Sequence, residues 1–232
     1  MALLPVLVTA ALLVFAHIGG VLVERKSMLI CQAELAEGQR QAGDVIEKIL
    51  ALNRPIFWAK KAKAIGEALM TNPYTLVQGE RIRSGAILTL RLLLAKRQMH
   101  IIMGTQQLWS AMSRAESALR DEWRQQHQQQ STALMAVHGS VTRRSFPYLA
   151  IRPSDPSEEY PEYELMPLFS SLQAQSISWK TSYGITKENR SWSRASWSKP
   201  QSCEVTLQER TDPKDRLQVR LNTGKFSLRR WF

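Results

Sequence analysis

Met1 to Val23 reads MALLPVLVTAALLVFAHIGGVLV and contains no Asp, Glu, Lys or Arg. As a helix rising about 1.5 Å per residue it extends about 30 Å, the thickness of a bilayer's hydrocarbon core. Its reading decides the rest: residues 1–23 are predicted to cross a membrane once, with everything after them in water. A cleaved secretory signal competes, but no basic residue precedes the apolar core, which is about twice as long as such a signal needs. A buried core helix is the other competitor, although an uncharged run of this length is more than soluble helices usually carry. Leu3, Leu4, Leu7, Leu12, Leu13 and Phe15 supply apolar surface. Pro5 falls in the first turn, where its missing N–H costs little. Gly19 and Gly20 allow close packing on another span without making a GxxxG motif.

Outward from that stretch, the chain of 232 residues carries a formal charge of +11. The excess is spread, with 16 Lys/Arg against 10 Asp/Glu in residues 1–140 and 15 against 10 in residues 141–232. No run of five like charges occurs, so neither half reads as a nucleic-acid arm. A diffuse positive field suits anionic lipid, polysaccharide or acidic protein, and nucleic acid is not expected. Cys31 and Cys203 are too few for a disulfide framework and too far apart for a metal knuckle. In an oxidising compartment they could form one bridge. Two unpaired thiols is the plainer reading, because Cys31 lies only a few residues beyond the apolar stretch.

Residues 24–53 read as an amphipathic stalk that continues the first helix. Ile30, Ala33, Val45, Ile46, Ile49 and Leu50 fall at helical spacing, and Asp44 pairs with Lys48 one turn on. Gly38 and Gly43 weaken it by about 1 kcal/mol each. Asn53-Arg54-Pro55 is expected to break it, since the residue before proline avoids the α region.

Residues 54–139 read as a helical hairpin or bundle. A helix over 56–70 opens with Phe57 and Trp58, which beside exposed Lys60, Lys61 and Lys63 could rest on a membrane surface but are expected to be packed. Thr71-Asn72-Pro73 stops it, and residues 74–83 form a connector. From Ser84 to Val137, Ile87, Leu90, Leu94, Ile101, Leu108, Met112, Ala115 and Leu119 recur every three or four residues. Gln98 and Thr105 at seam positions argue against a sustained coiled coil, and Gly104 is expected to kink or divide the helix.

Residues 140–232 change character, with seven of the chain's ten prolines and period-two alternation. Strands are predicted over 176–183, 203–208, 217–221 and 226–229, separated by turn sequences at 211–215 and 222–225. They form an antiparallel meander with one apolar face on the helices, making the whole α+β. Asp155, Glu158, Glu159, Glu162 and Glu164, set among prolines, suit a solvated surface loop. The doubled Ser-Trp-Ser at 191–198 places Trp192, Arg194 and Trp197 where they could stack on a sugar or base, although such tryptophans equally pack locally. No P-loop, G-x-S-x-G, H-E-x-x-H, G-x-G-x-x-G or Cys–His pattern occurs, so neither an enzyme nor a cofactor or metal is expected.

Ala2-Leu3-Leu4-Pro5-Val6-Leu7, followed by Gln32-Ala33-Glu34-Leu35-Ala36 and the Gln39–Ala42 segment, resembles the TadE/TadG-like pilin-like anchors of tight-adherence (Tad/Flp) pili. The resemblance covers about 45 residues. That group places a leader, its cleavage site and a Glu before the apolar helix. With Met1 at that point, either translation begins upstream or this is an unprocessed relative. Arg25 and Lys26 after the span favour a cytoplasmic carboxy-terminal part, whereas the resemblance implies a periplasmic one. It implies a single-pass protein of the bacterial inner membrane, its soluble part periplasmic or extracellular. The role implied is a membrane-anchored, minor pseudopilin-like structural component of a tight-adherence pilus or related secretion apparatus, in a hetero-oligomer with other subunits. The alternative is an anchored binding module whose basic head contacts an anionic polymer or an acidic protein.

Overall fold

The computed structural model describes residues 3–130, 135–143, 147–166, 173–187, 190–191, 197–209 and 217–222. Three helices come first: α1 (Leu3–Ala51), α2 (Asn53–Leu69) and α3 (Leu76–Gln130). Strands β1 (Met135–Arg143), β2 (Ile151–Pro153), β3 (Tyr163–Leu165), β4 (Gln173–Lys187), β5 (Arg190–Ser191), β6 (Trp197–Glu209) and β7 (Leu217–Asn222) follow. The protein is α+β.

Helix α1 passes through Gly38 and Gly43 without interruption. It stops at Leu52, whose N–H turns to the Ile49 carbonyl at 3.1 Å while its own carbonyl accepts from Ile56. Pro55 lies inside the first turn of α2, where an amide N–H has no helical partner to lose. The break therefore falls one residue ahead of the expected Asn53-Arg54-Pro55.

Helix α3 is about 80 Å long at the standard rise and runs back along both of the others. Its amino-terminal part lies on α2, where Gly66 and Gly79 cross so closely that a Cβ on Gly66 would sit 2.9 Å from the Gly79 carbonyl. Its later part lies on α1, where the Trp123 indole N–H donates to the Ser27 hydroxyl at 3.2 Å. The helix begins at Leu76, inside the expected connector, because the Gly66–Gly79 contact needs a helix there. It also runs through Gly104 undivided. A Cβ at that glycine would lie 2.8 Å from Val45 and 3.0 Å from Leu149, so the residue is a point of close packing. The buried seam passes Leu90, Arg97, Gly104, Leu108, Ala111 and Ala115. Gln98 and Thr105 are thus not seam positions, and the polar interruption expected of them does not occur.

Four strands form an antiparallel sheet in the order β1-β4-β6-β7, with β5 hydrogen-bonded to the end of β4. The register sets Ile177 opposite Cys203 and Val205 opposite Leu221. Alternation then buries Ile177 and Trp179 from β4 with Cys203, Val205 and Leu207 from β6. These close on Leu35, Met112, Ala115 and Leu119 in one core and on Ile46, Ile49 and Leu108 in the next. Strand β1 begins at Met135, so residues 135–137 are strand where a helix was expected. The expected strand at 226–229 and the turn at 211–215 lie outside the described residues.

Over the described residues, no helix is long and apolar enough to cross a membrane. The predicted membrane-crossing helix is therefore not supported as such. What α1 presents before Val23 is an exposed apolar segment, and the side chains of Leu3, Pro5, Leu12, Leu13 and Phe15 lie outside the described set.

Candidate functional site

Val23 is where α1 enters the body of the protein: its side chain is 3% exposed and packs in the core with Cys31, Leu35 and Trp123. Before it the surroundings change. Leu4, Val6, Leu7, Val8, Val14, Ile18 and Leu22 are 50–72% exposed, while Gly19 and Gly20 are half-buried. A segment that is apolar on every side has no polar face to turn to water, and from Leu4 to Ile18 its described side chains are left exposed.

Just past that point the body grips the helix three times. Lys26 reaches the buried carboxylate of Glu122 at 2.6 Å, joining α1 to the end of α3. Ser27 accepts the Trp123 hydrogen bond one residue later. Cys31 and Cys203 are joined by a disulfide between α1 and β6, their Cα atoms 6.4 Å apart. That separation is within the range a disulfide spans without backbone movement. The two cysteines meet because helix spacing puts Cys31 on the same face as Leu35, and strand alternation puts Cys203 on the same face as Val205.

A polar layer lies deeper along the same contact. Gln39 of α1 donates to the Val205 carbonyl at 3.4 Å, and Val205 is paired in register with Gln175. Gln175, Gln39, Gln32 and Thr181 are all buried there. Buried polar groups ordinarily have hydrogen-bond partners, yet Gln32 Nε2, Gln39 Oε1, both amide atoms of Gln175 and the Thr181 hydroxyl have none among the described residues.

At the far end of the helices, the acidic loop carried by β2 and β3 is docked. The Asn53 side chain donates to the Tyr163 carbonyl at 2.6 Å and accepts from the Tyr163 N–H at 3.0 Å, as a neighbouring strand would. Arg97 is buried beneath the loop, with its guanidinium 4.2 Å from the Tyr163 ring centre and donating to the Pro161 carbonyl at 2.6 Å. Burial pulls its pKa below the usual arginine value. Lys60 pairs with Glu158, and Lys63 with Glu159 at 3.4 Å. A hydrogen bond from Tyr160, and then Lys63, holds the Glu159 carboxyl below its ordinary range. The acidic loop stays at the surface as expected, and two of its five carboxylates, Glu158 and Glu159, pair with the two lysines there. Phe57 and Trp58, expected to be packed, are 42% and 57% exposed on α2, edge to face with each other and with Lys61 4.6 Å from the Phe57 ring centre.

Of the doubled Ser-Trp-Ser, Trp192 and Arg194 lie outside the described residues, and Trp197 opens β6 in register with Tyr183. No three His, Cys, Asp or Glu side chains gather into a metal site among the described residues. Compared with family models, curated proteins and solved structures, the chain matches none.

Arg97 is the residue that sequence reasoning missed in this arrangement. Its signal was its place in register with Leu90, Gly104 and Leu108, but a charge at a seam position reads as an interruption until a partner for it is in view.

Proposed function

We propose that this chain is a membrane-anchored structural protein, its amino-terminal apolar segment embedded in a bilayer and its α+β body projecting to partner subunits. One observation carries the reading: the charge-free stretch continues α1 out of the body with its described apolar side chains exposed. Burying a Val or Leu side chain is worth about 1.5–3 kcal/mol. Seven of them in water would therefore cost on the order of 10 kcal/mol, which a bilayer removes. The rest of α1 is a rigid continuation that packs within the body from Val23 onward, so the body begins directly where the apolar segment ends.

The Cys31–Cys203 disulfide favours the periplasmic or extracellular side, because such bonds persist in oxidising compartments. This agrees with the side implied by the resemblance to tight-adherence pilus anchors, and we assign the chain to that kind of apparatus, as a minor component in a hetero-oligomer. Alkaline phosphatase and green fluorescent protein fused after Phe232 test both parts. Phosphatase activity in the membrane fraction, without fluorescence, is the expected result. Fluorescence without phosphatase activity would overturn the pilus assignment, and recovery of the chain in the soluble fraction would overturn the anchor.

A further inference from the structure

Helix α3 carries two apolar seams of the same period. The inner one, through Leu90, Arg97, Gly104 and Leu108, packs on α1 and α2. The outer one consists of Leu88, Leu92, Met99, Ile102 and Trp109, which are 61%, 63%, 63%, 58% and 46% exposed. Its steps of four, seven, three and seven residues are those of a heptad, whose alternating three- and four-residue spacings average 3.5 and pair helices in left-handed supercoils. Leu88, Leu92, Met99 and Ile102 each lie two positions before or after an inner-seam residue, about 160–200° around the helix, and so face away from the inner seam. Single exposed apolar residues are ordinary, whereas a line of them at one fixed period is a surface. The line is flanked by Arg91 and Lys96, and no Asp or Glu occurs on α3 between Glu80 and Glu116, although Glu159 of the docked loop lies within charge range of Arg91.

We propose that this outer seam docks an amphipathic helix of a different protein, one with an apolar seam of matching period bordered by acidic residues. The period selects a helix, and the acid-free border selects the sign of its charge. A second copy of this chain fits poorly. In a parallel pair the repeat would set Arg91 of one copy beside Lys96 of the other, like charge against like. In an antiparallel pair the two amino-terminal segments would point in opposite directions, which anchoring in one membrane forbids; this last exclusion rests on the anchor reading. The carboxy-terminal segment 223–232 has Lys225, Arg229 and Arg230 and no acid, so its charge is also wrong.

The test uses the full chain in phosphatidylcholine nanodiscs and a fluorescent three-heptad peptide with Leu at its seam positions and Glu on both flanks. The same peptide with Lys for Glu is the control. The Glu peptide is expected to bind about tenfold more tightly, with the gap closing as salt is raised. Met99→Lys with Ile102→Lys should abolish binding while leaving the thermal unfolding midpoint in place, since both side chains are exposed. Arg91→Glu with Lys96→Glu should reverse the preference between the peptides. Equal binding of the two peptides, or of neither, would overturn the proposal. So would concentration-dependent dimerisation of the peptide-free protein that Ile102→Lys removes, or binding to phosphatidylglycerol vesicles that Met99→Lys removes. Peptide binding is read whichever compartment the fusions report, so this inference and the anchor fail separately.

Discussion

The two parts of α1 share one unbroken backbone and differ in everything around it. From Val23 to Ala51, buried and exposed positions alternate at the helical period, and the buried ones, Cys31, Leu35, Ala42, Ile46 and Ile49, meet α3 and the sheet. Before Val23 the sequence is apolar on all sides, and most of its described side chains are exposed. The difference lies in pattern more than in hydrophobicity. A helix with one apolar face can be satisfied by its own chain, whereas a helix with no polar face needs an apolar medium.

Substitutions can separate the two parts. The largest effect is expected from Val8→Asp with Val14→Asp, since each carboxylate costs about 3 kcal/mol at the centre of a bilayer. Membrane association should be lost while the unfolding transition of the body stays where it was, and a shifted transition would show that the segment packs on the body after all. Next comes Leu108→Ala, which empties a fully buried site between α1 and the sheet and should lower unfolding free energy by about 2–5 kcal/mol. Membrane association should not change, and its loss would merge the two parts. Cys203→Ser should remove about 2–4 kcal/mol in denaturant unfolding under oxidising conditions, and less once dithiothreitol is present in both samples, when only the cost of the buried hydroxyl remains. The smallest effect is expected at the far end. Hydrogen bonds from Ser157 hold Asp155 below its ordinary 3.8, and the Tyr160 hydrogen bond holds Glu159 below 4.5. Their contribution is therefore complete above those values and fades as pH falls through the lowered ones. The loop should loosen from α2 in acid, visible as movement of the Tyr160 and Tyr163 ring resonances below about pH 4, with the sheet unchanged.

Much of the architecture can be read from residues alone. The period change near residue 140 announces the α+β division, and the alternation around Ile177, Val205 and Val219 locates three of the sheet's strands. What escapes is whatever depends on distant partners. Arg97 and Gly104 occupy the α3 seam, one because Tyr163 and Pro161 lie over it and the other because Val45 and Leu149 leave no room for a side chain. Neither reason is visible within a helical window. Strand β1 is hidden because Met135–Val137 is short and apolar, a pattern that helices share; only its pairing with Tyr183–Ile185 decides it. Lys60 and Glu158 each look solvated until the fold brings together residues 98 positions apart. The cysteines pose the same problem, because 172 positions separate two residues whose pairing depends on the packing of α1 against β6.

The position of that disulfide also governs how the molecule answers a pull. Tension entering along α1 from its amino-terminal end meets Cys31 only eight residues after Val23, and a covalent path to β6 opens there. Beyond that point the helix and the sheet share the strain, and they can separate only by breaking a chemical bond. The later turns of α1, held to α3 by side-chain packing and by the Glu34–Arg114 ion pair at 3.0 Å, are thereby shielded from being peeled away one by one. Under reducing conditions the same pull would pass down the whole helix, and the extension at which the body yields would report whether the bond is intact.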